Sequence, residues 1–384
     1  MKMSLGRRFF YAFGAPLLAA IIALVVATIV MLISGSNPIE GFGDMAENAT
    51  RLETIIDMLN RATPLYISAV AAAIGFRMNL FNIGVEGQYL LAAFFAASVG
   101  GSVTLPAPLH IALVLITAVV IGASYSGVAG LLKVTRGVNE VISTIMLNGI
   151  AISGILVWLV RAWADDSGAS NNIGSRVVPE SGRIPDLNGA VEVFTREISK
   201  GRRLTGVLLI AAAVGLGYHV LINRTRFGYD LRASGWNPFA AQVGGVPPRK
   251  MIFLAMVFSG GIAGLVGMVE ILSTKFKYDQ SFVQGLGFSG IGVALLGRNH
   301  PGGMVFAALL FALLDVSSGV LQISGSASRE IVIIIQGVIL LAAVVAYEIV
   351  RRIRERDEAR LTAEAMRSDS KDAASSASSD LASA

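Results

Sequence analysis

Residues 109–132 read LHIALVLITAVVIGASYSGVAGLL, a run with no charged side chain. Coiled as a helix it rises about 36 Å, enough to cross a hydrocarbon core about 30 Å thick. Lipid offers no hydrogen bonds, so such a run must satisfy its own backbone, and an α-helix does this within one segment. Similar runs lie on both sides of it. Ten candidate spans cover roughly residues 10–34, 62–77, 84–104, 109–132, 141–160, 204–222, 251–272, 282–297, 302–322 and 330–350. The second and eighth are short and could be tilted, broken or partly re-entrant. The first follows Met1–Arg8 and is too long for a cleaved signal, so it is read as a retained helix. The fold class expected is all-α, a polytopic transmembrane helix bundle.

Composition agrees. Apolar residues make up 54% of the 384 and charged residues 15%, against about 25% charge in soluble domains. Cysteine is absent, which excludes thiol chemistry, thiolate metal sites and disulfides. His110, His219 and His300 are far apart in the chain. The net charge of +5 is too small to point to a nucleic acid polymer as partner; the lipid bilayer is the partner it implies.

With ten spans, an N-terminus inside puts twelve basic residues of the short segments on the cytoplasmic side, including Arg77, Lys133, Arg136, Arg224, Arg249 and Arg298. Five lie opposite: Arg51, Arg61, Lys275, Lys277 and Arg329. The excess places both termini in the cytoplasm. It leaves an acidic outer loop at 35–61, with Glu40, Asp44, Glu47, Glu53 and Asp57, and a polar outer loop at 161–203. Residues 1–350 form the membrane domain. In 351–384, a short charged helix leads into a Ser-, Ala- and Asp-rich tail expected to be disordered.

No glycine is followed by lysine, so the chain has no P-loop; H-E-x-x-H and G-x-S-x-G are absent too. An enzyme is not expected, and no cofactor. Energy for uphill movement would come from an ion gradient or from ATP bound by a partner.

Four segments carry the functional reading. In Gly228–Gly245, GYDLRASGWNPFAAQVGG, Asn237 can cap a helix and Pro238 suits its first position. Gly244–Gly245 and Pro247–Pro248 end it. One short helix in a cytoplasmic loop is expected over Asn237–Val243. It rests on its own bundle or docks a soluble partner. In Gly75–Gln88, GFRMNLFNIGVEGQ, one helix halts and another begins at Gly84. Asn82 can cap the second helix and Glu86 sits in its first turn, where the dipole favours an anion. Otherwise this break lines the transport path. Gly285–Gly303, GLGFSGIGVALLGRNHPGG, repeats the pattern weakly: helix, Gly297, Arg298, Asn299, Gly302, helix. Asp315 stands inside an apolar span with Ser318 and Gln322 on its face. It is either a path residue or an inter-helix hydrogen bonder. No Lys or Arg is evident deep in a span, and His110 and His219 are expected at the interface.

Phe76–Gln88 (FRMNLFNIGVEGQ) and Arg136–Asn148 (RGVNEVISTIMLN) resemble permease subunits of bacterial nucleoside-uptake ABC transporters. These belong with the ribose and branched-chain amino acid permeases. LRASGWNPFAAQVGGV resembles the loop of that group where a short helix meets the ATPase, and 285–303 resembles its late glycine motif. The resemblance covers roughly residues 60–350. It implies a multi-pass permease of the bacterial inner membrane that couples to a cytoplasmic ATP-binding subunit. It further implies a second related permease chain and an extracytoplasmic solute-binding protein. Gly235, Trp236, Asn237, Pro238, Phe239, Ala240, Ala241 and Gln242 would contact the ATPase. Asn79, Phe81, Asn82, Glu86, Gln88, Asp315, Ser318 and Gln322 would line the path. The alternatives are a sugar or branched-chain amino acid permease, a secondary transporter using a proton at Glu86 or Asp315, and a non-transporting scaffold.

Overall fold

A computed structural model describes residues 21, 22, 24–33, 35, 37–163, 174–189, 202–324, 331–339, 341, 342, 345, 346, 349, 352, 353 and 356. The start of the first expected span, the middle of the 161–203 loop and the tail lie outside them, as do the side chains of 320–324.

The chain forms two compact units, Ile39–Arg329 and a second made of Met1–Pro38 with Glu330–Ala384. In the second unit residues 24–33 form an apolar helix, and residues 331–339 are helical.

The larger unit is helical. In chain order, α1 is Pro38–Ala49, α2 Leu52–Arg77, α3 Val85–Ser102 and α4 Ala107–Arg136. Next, α5 (Glu140–Gly149) runs through a π turn at Ile150–Ile155 into α6 (Leu156–Ala162). Then follow α7 (Val207–Arg224), α8 (Arg226–Trp236), α9 (Pro238–Val243) and α10 (Pro248–Gly264), with a π turn at Glu270–Thr274. The unit ends with α11 (Leu286–Leu296) and α12 (Pro301–Ser324). Strands are absent among the described residues, where the β contact recorded is one bridge between Gly174 and Asp279. Four continuous helical stretches are long and apolar enough to cross a membrane: Ala107–Arg136, Glu140–Ala162, Val207–Arg224 and Pro301–Gly319.

The two short candidate spans differ from each other. The segment at 62–77 is the second half of α2, a continuous 26-residue helix, about 39 Å long. Its residues 62–75 are all buried, so apolar groups on every side of it face protein. The segment at 282–297 yields only the 11 residues of α11, about 16 Å and half a bilayer core. Gly285, at φ +90°, turns the chain into it in a conformation that costs glycine little.

Local chemistry explains the ends. Asn139 Oδ1 accepts from the backbone of Val141 (2.8 Å) to start α5. Gly137 at φ +69° closes α4, as a left-handed C-terminal residue does. Asn237 Oδ1 accepts from Ala240 N (3.0 Å), with Pro238 beginning α9 as the sequence predicts.

Packing around α2 depends on small residues. Ser68 Oγ donates to Leu286 O (2.9 Å), tying α2 to α11. Between α4 and α10 the backbones touch. A Cβ on Gly122 would stand 2.2 Å from Gly260 O, and one on Gly264 2.0 Å from Ala118 O. Ser126 Oγ donates to Met256 O (2.7 Å) across the same contact. Close approach of this kind lets helices associate where lipid supplies no hydrophobic drive.

The described part of the 161–203 loop is not free. Ser175 N donates to Tyr278 O (2.8 Å), Val178 N to Phe276 O (2.7 Å) and Ile184 N to Leu272 O (2.9 Å), so the strip is laced to the α10–α11 connection. His110, expected at the interface, is fully buried beneath it. Its Nε2 meets Gly100 O and its Nδ1 meets Ser181 Oγ, both at 2.9 Å. A carbonyl only accepts, so Nε2 carries the hydrogen.

Replacing Gly264 with valine should lower the melting temperature of the detergent-solubilised chain, because overpacking costs about 1–3 kcal/mol or more. Gly149→Ala, where an added Cβ meets nothing within 4 Å, should leave it unchanged.

Candidate functional site

Two of the expected path residues, Asn82 and Gln88, meet in one buried network, and Glu86 lies beside it. The carboxamides of Asn82 and Gln88 pair, Asn82 Nδ2 to Gln88 Oε1 at 3.0 Å and Gln88 Nε2 to Asn82 Oδ1 at 2.9 Å. Asn82 Nδ2 also donates to Ser259 Oγ of α10 (2.8 Å), which donates to Ala71 O of α2 (2.6 Å). Asn148 of α5 accepts from Gly87 N (2.9 Å) and donates to Ile83 O (2.8 Å). The break between α2 and α3 is therefore bonded to two further helices. Asn82 does not occupy the cap position itself. Gly84 does, and Asn82 Oδ1 accepts from Gly84 N (3.0 Å).

Glu86 completes the third link. It is 2% exposed, and its carboxylate crosses to the start of α11. Gly285 N donates to Oε1 (2.6 Å) and Gly287 N to Oε2 (2.8 Å). Tyr89 OH stands 3.1 Å from Oε1 and 2.8 Å from Val283 O. An anion at a helix N-terminus is stabilised by orphan N–H groups and the helix dipole. Two helix starts converge here, because Glu86 also lies in the first turn of α3. The sequence placed Glu86 either at its own helix start or on the path; its backbone hydrogen bonds go to the start of α11.

Asp315 is paired. Arg61 Nε contacts its Oδ2 in an ion pair between α2 and α12, and Ser318 Oγ donates to Asp315 O (2.6 Å). Arg61 is ten residues into α2, just before the expected span at 62–77. The Gln322 side chain lies outside the described residues. Asn79 and Phe81 sit apart from the network on the exposed α2–α3 turn, with the Phe81 ring edge-on to Phe76 at 5.1 Å. A 420 Å³ groove between α2, α7 and α12, lined by Leu59, Tyr66, Gly215 and Val305 among others, contains none of the expected path residues.

The second candidate region is α8–α9. The expectation of one short helix needs correction, because α8 forms immediately before α9. Gly235 and Trp236 are its last residues, not loop. Thr225 Oγ1 accepts from Gly228 N (3.1 Å) to start it, and buried Leu231 anchors it. Gly228 and Gly235 are contact points. A Cβ at Gly228 would lie 2.2 Å from Leu221 O. In α9 only Ala241 is buried, whereas Asn237, Pro238, Phe239, Ala240 and Gln242 are exposed. Trp236, Phe239 and Val243 are 93%, 83% and 91% exposed. Large apolar groups grouped this way make α9 a candidate interaction surface. A 770 Å³ cleft lined by Pro238, Phe239, Gln242, Val246, Arg249 and Ile252 adjoins them.

Sequence reading missed Asn148 and Ser259 as members of the network, and Ser68 as the tie from α2 to α11. Asn148 had a signal, a lone carboxamide inside an apolar run. Ser68 and Ser259 had none. Among the described residues no group of three His, Asp or Glu side chains could hold a metal ion.

Comparison with known proteins places this geometry. The family model described as "Branched-chain amino acid transport system / permease component" matches residues 54–344. A guanosine ABC transporter permease protein of Bacillus subtilis is 33% identical over 341 residues, covering 87% of this chain and 93% of that one. A glucose ABC transporter permease protein of Haloferax volcanii is 30% identical, covering 86% of each. A nucleoside ABC transporter permease protein of Lactococcus lactis is 30% identical, covering 86% of this chain and 90% of that one.

Glu86→Gln should destabilise the purified chain by about 1–3 kcal/mol, because one of two buried amide donors loses its acceptor. Thermal unfolding followed by circular dichroism should show the drop, with a smaller one for Tyr89→Phe.

Proposed function

The chain belongs to the permease-component family of branched-chain amino acid transport systems, and from that premise we propose that it is the membrane subunit of an ABC importer for nucleosides. It forms half of a translocation path with a second, related permease chain. An extracytoplasmic binding protein delivers the solute, and a cytoplasmic ATPase docks on α8–α9. About ten spans cross the bacterial inner membrane with both termini inside.

The observation that carries the coupling role is the exposed triad Trp236, Phe239 and Val243. It is presented by a capped helix of only six residues, too short to be stable alone in water. The flanking Arg224, Arg226, Arg249 and Lys250 support a cytoplasmic position. No P-loop is present in the sequence, so ATP is bound by the partner. Closure of the ATPases on ATP would push α8–α9 and switch the bundle between outward- and inward-open states.

Two of the relatives named above carry guanosine or nucleoside in their titles, and this supports a nucleoside substrate. The similarity to a glucose permease makes sugars the comparison to run beside it. Within the path, Asn79 and Phe81 on the exposed turn are the residues proposed to meet solute. Asn82, Glu86 and Gln88 hold that turn in place, and Asp315 acts through Arg61.

Phe239→Ala combined with Trp236→Ala should cut co-purification of the ATPase by about tenfold or more, the loss of two aromatic anchors costing over 1 kcal/mol each. Uptake in proteoliposomes should fall with it while the binding protein's affinity for solute is unchanged. In the same vesicles, unlabelled nucleosides should compete with labelled adenosine or guanosine, and glucose and leucine should not. Competition by glucose alone would move the substrate to the sugars.

A further inference from the structure

The C-terminal turns of α2 and α11 are built alike and are bolted together. After α2, Leu80 N donates to Gly75 O (2.9 Å) and Asn79 N to Phe76 O (3.0 Å), with Asn79 at φ +58°. After α11, Asn299 N donates to Ala294 O (2.9 Å) and Arg298 N to Leu295 O (3.0 Å), with Arg298 at +55° and Asn299 at +53°. Both are Schellman closures in which a residue with a side chain takes the left-handed position usually given to glycine. The Arg77 guanidinium joins them. Its Nη2 donates to Asn299 O (2.8 Å) and its Nε to Tyr218 OH (3.3 Å), and Tyr218 OH donates to the same Asn299 O (2.8 Å). One side chain thus links α2, α7 and the α11–α12 turn.

The last turn of α8 rests on this junction. A Cβ at Gly235 would come within 2.8 Å of Arg77 O and of Met78 Cα, so the two backbones touch. Only Asn237 separates α8 from α9. Whatever moves α9 therefore loads the Arg77–Met78 backbone directly.

The junction also holds stored strain. Four non-glycine residues have positive φ among those described, and Asn79, Arg298 and Asn299 are three of them. Among the described residues four buried side-chain atoms lack a hydrogen-bond partner, and two of them, Ser234 Oγ and Asn299 Oδ1, lie at the junction. Backbone strain and unsatisfied polar atoms collect at switch regions, where a second arrangement relieves them.

We propose that Arg77 is the positioning residue that carries displacement of α8–α9 into the ends of α2 and α11, and through them to both helix breaks of the path. This rests on the docking role of α8–α9. Arg77 touches neither solute nor ATPase. It sets how much of each ATPase stroke reaches the path.

The test uses the full complex in proteoliposomes: both permease chains, the ATPase and the binding protein, with ATP hydrolysis and uptake measured together. Arg77→Gln should retain the ATPase and its basal hydrolysis, while solute taken up per ATP falls about tenfold, the scale of a coupling residue. Tyr218→Phe should give a smaller fall. The double variant should be no worse than Arg77→Gln, because both side chains act on one carbonyl. Should Arg77→Gln fail to insert, Arg77→Lys, which keeps the charge but loses the fork, is read in the same way. Wild-type uptake per ATP in a correctly assembled Arg77 variant would overturn the proposal. Loss of the ATPase from that variant would overturn it too, since Arg77 would then belong to the docking surface. If Phe239→Ala with Trp236→Ala leaves the ATPase bound and uptake intact, it is the docking role that fails.

Discussion

A carboxylate among apolar helices is tolerable only where fixed dipoles meet it, and Glu86 is met by two helix starts. Gly285 and Gly287 of α11 turn their N–H groups to its two oxygens. Without that contact α11, only 11 residues long, would have an uncapped end inside protein, and the Glu86 oxygens would be buried without their amide partners. Both breaks in the bundle, after α2 and before α11, depend on this one interaction. The carboxamide network continues it. Asn82 and Gln88 satisfy each other, and Ser259 and Asn148 bind the α2–α3 turn to α10 and α5. Irregular backbone at depth is stable because protein atoms, not lipid, answer its polar groups.

The same rule separates the two ends of the molecule. Inside the bundle, Arg61 is paired with Asp315, and Asn82 with Gln88. At α8–α9 large apolar side chains are left uncovered: Trp236, Phe239 and Val243. The proposed docking surface is this uncovered part of α9. The Arg77 junction lies between that surface and the bundle, with backbone strain in its turns. In the proposed mechanism this junction is the joint that carries work done on α9 into the bundle.

Much of this was legible from residue order. Long charge-free runs have one stable form in lipid, so the helices at 107–136 and 301–324 fall where hydropathy puts them. The Asn237–Pro238 cap is local chemistry and was read to the residue. What was not legible depends on contacts between distant segments. Gly228 and Gly235 show no contact role until the backbones that press against them are known. Glu86 looks like part of its own helix until α11 is placed beside it. Arg61 looks like an outer-loop residue because its partner, Asp315, is 254 positions away. Composition names the polar residues in such a bundle. Only packing pairs them.

The central claim is that α9 faces the cytoplasm and receives the force that drives the path. The chain has no cysteine, so Phe239→Cys provides a single thiol for labelling. In intact cells a membrane-impermeant maleimide should leave it unmodified, and in inside-out vesicles the reagent should modify it unless the ATPase is bound. Labelling of that thiol from outside intact cells would contradict the account.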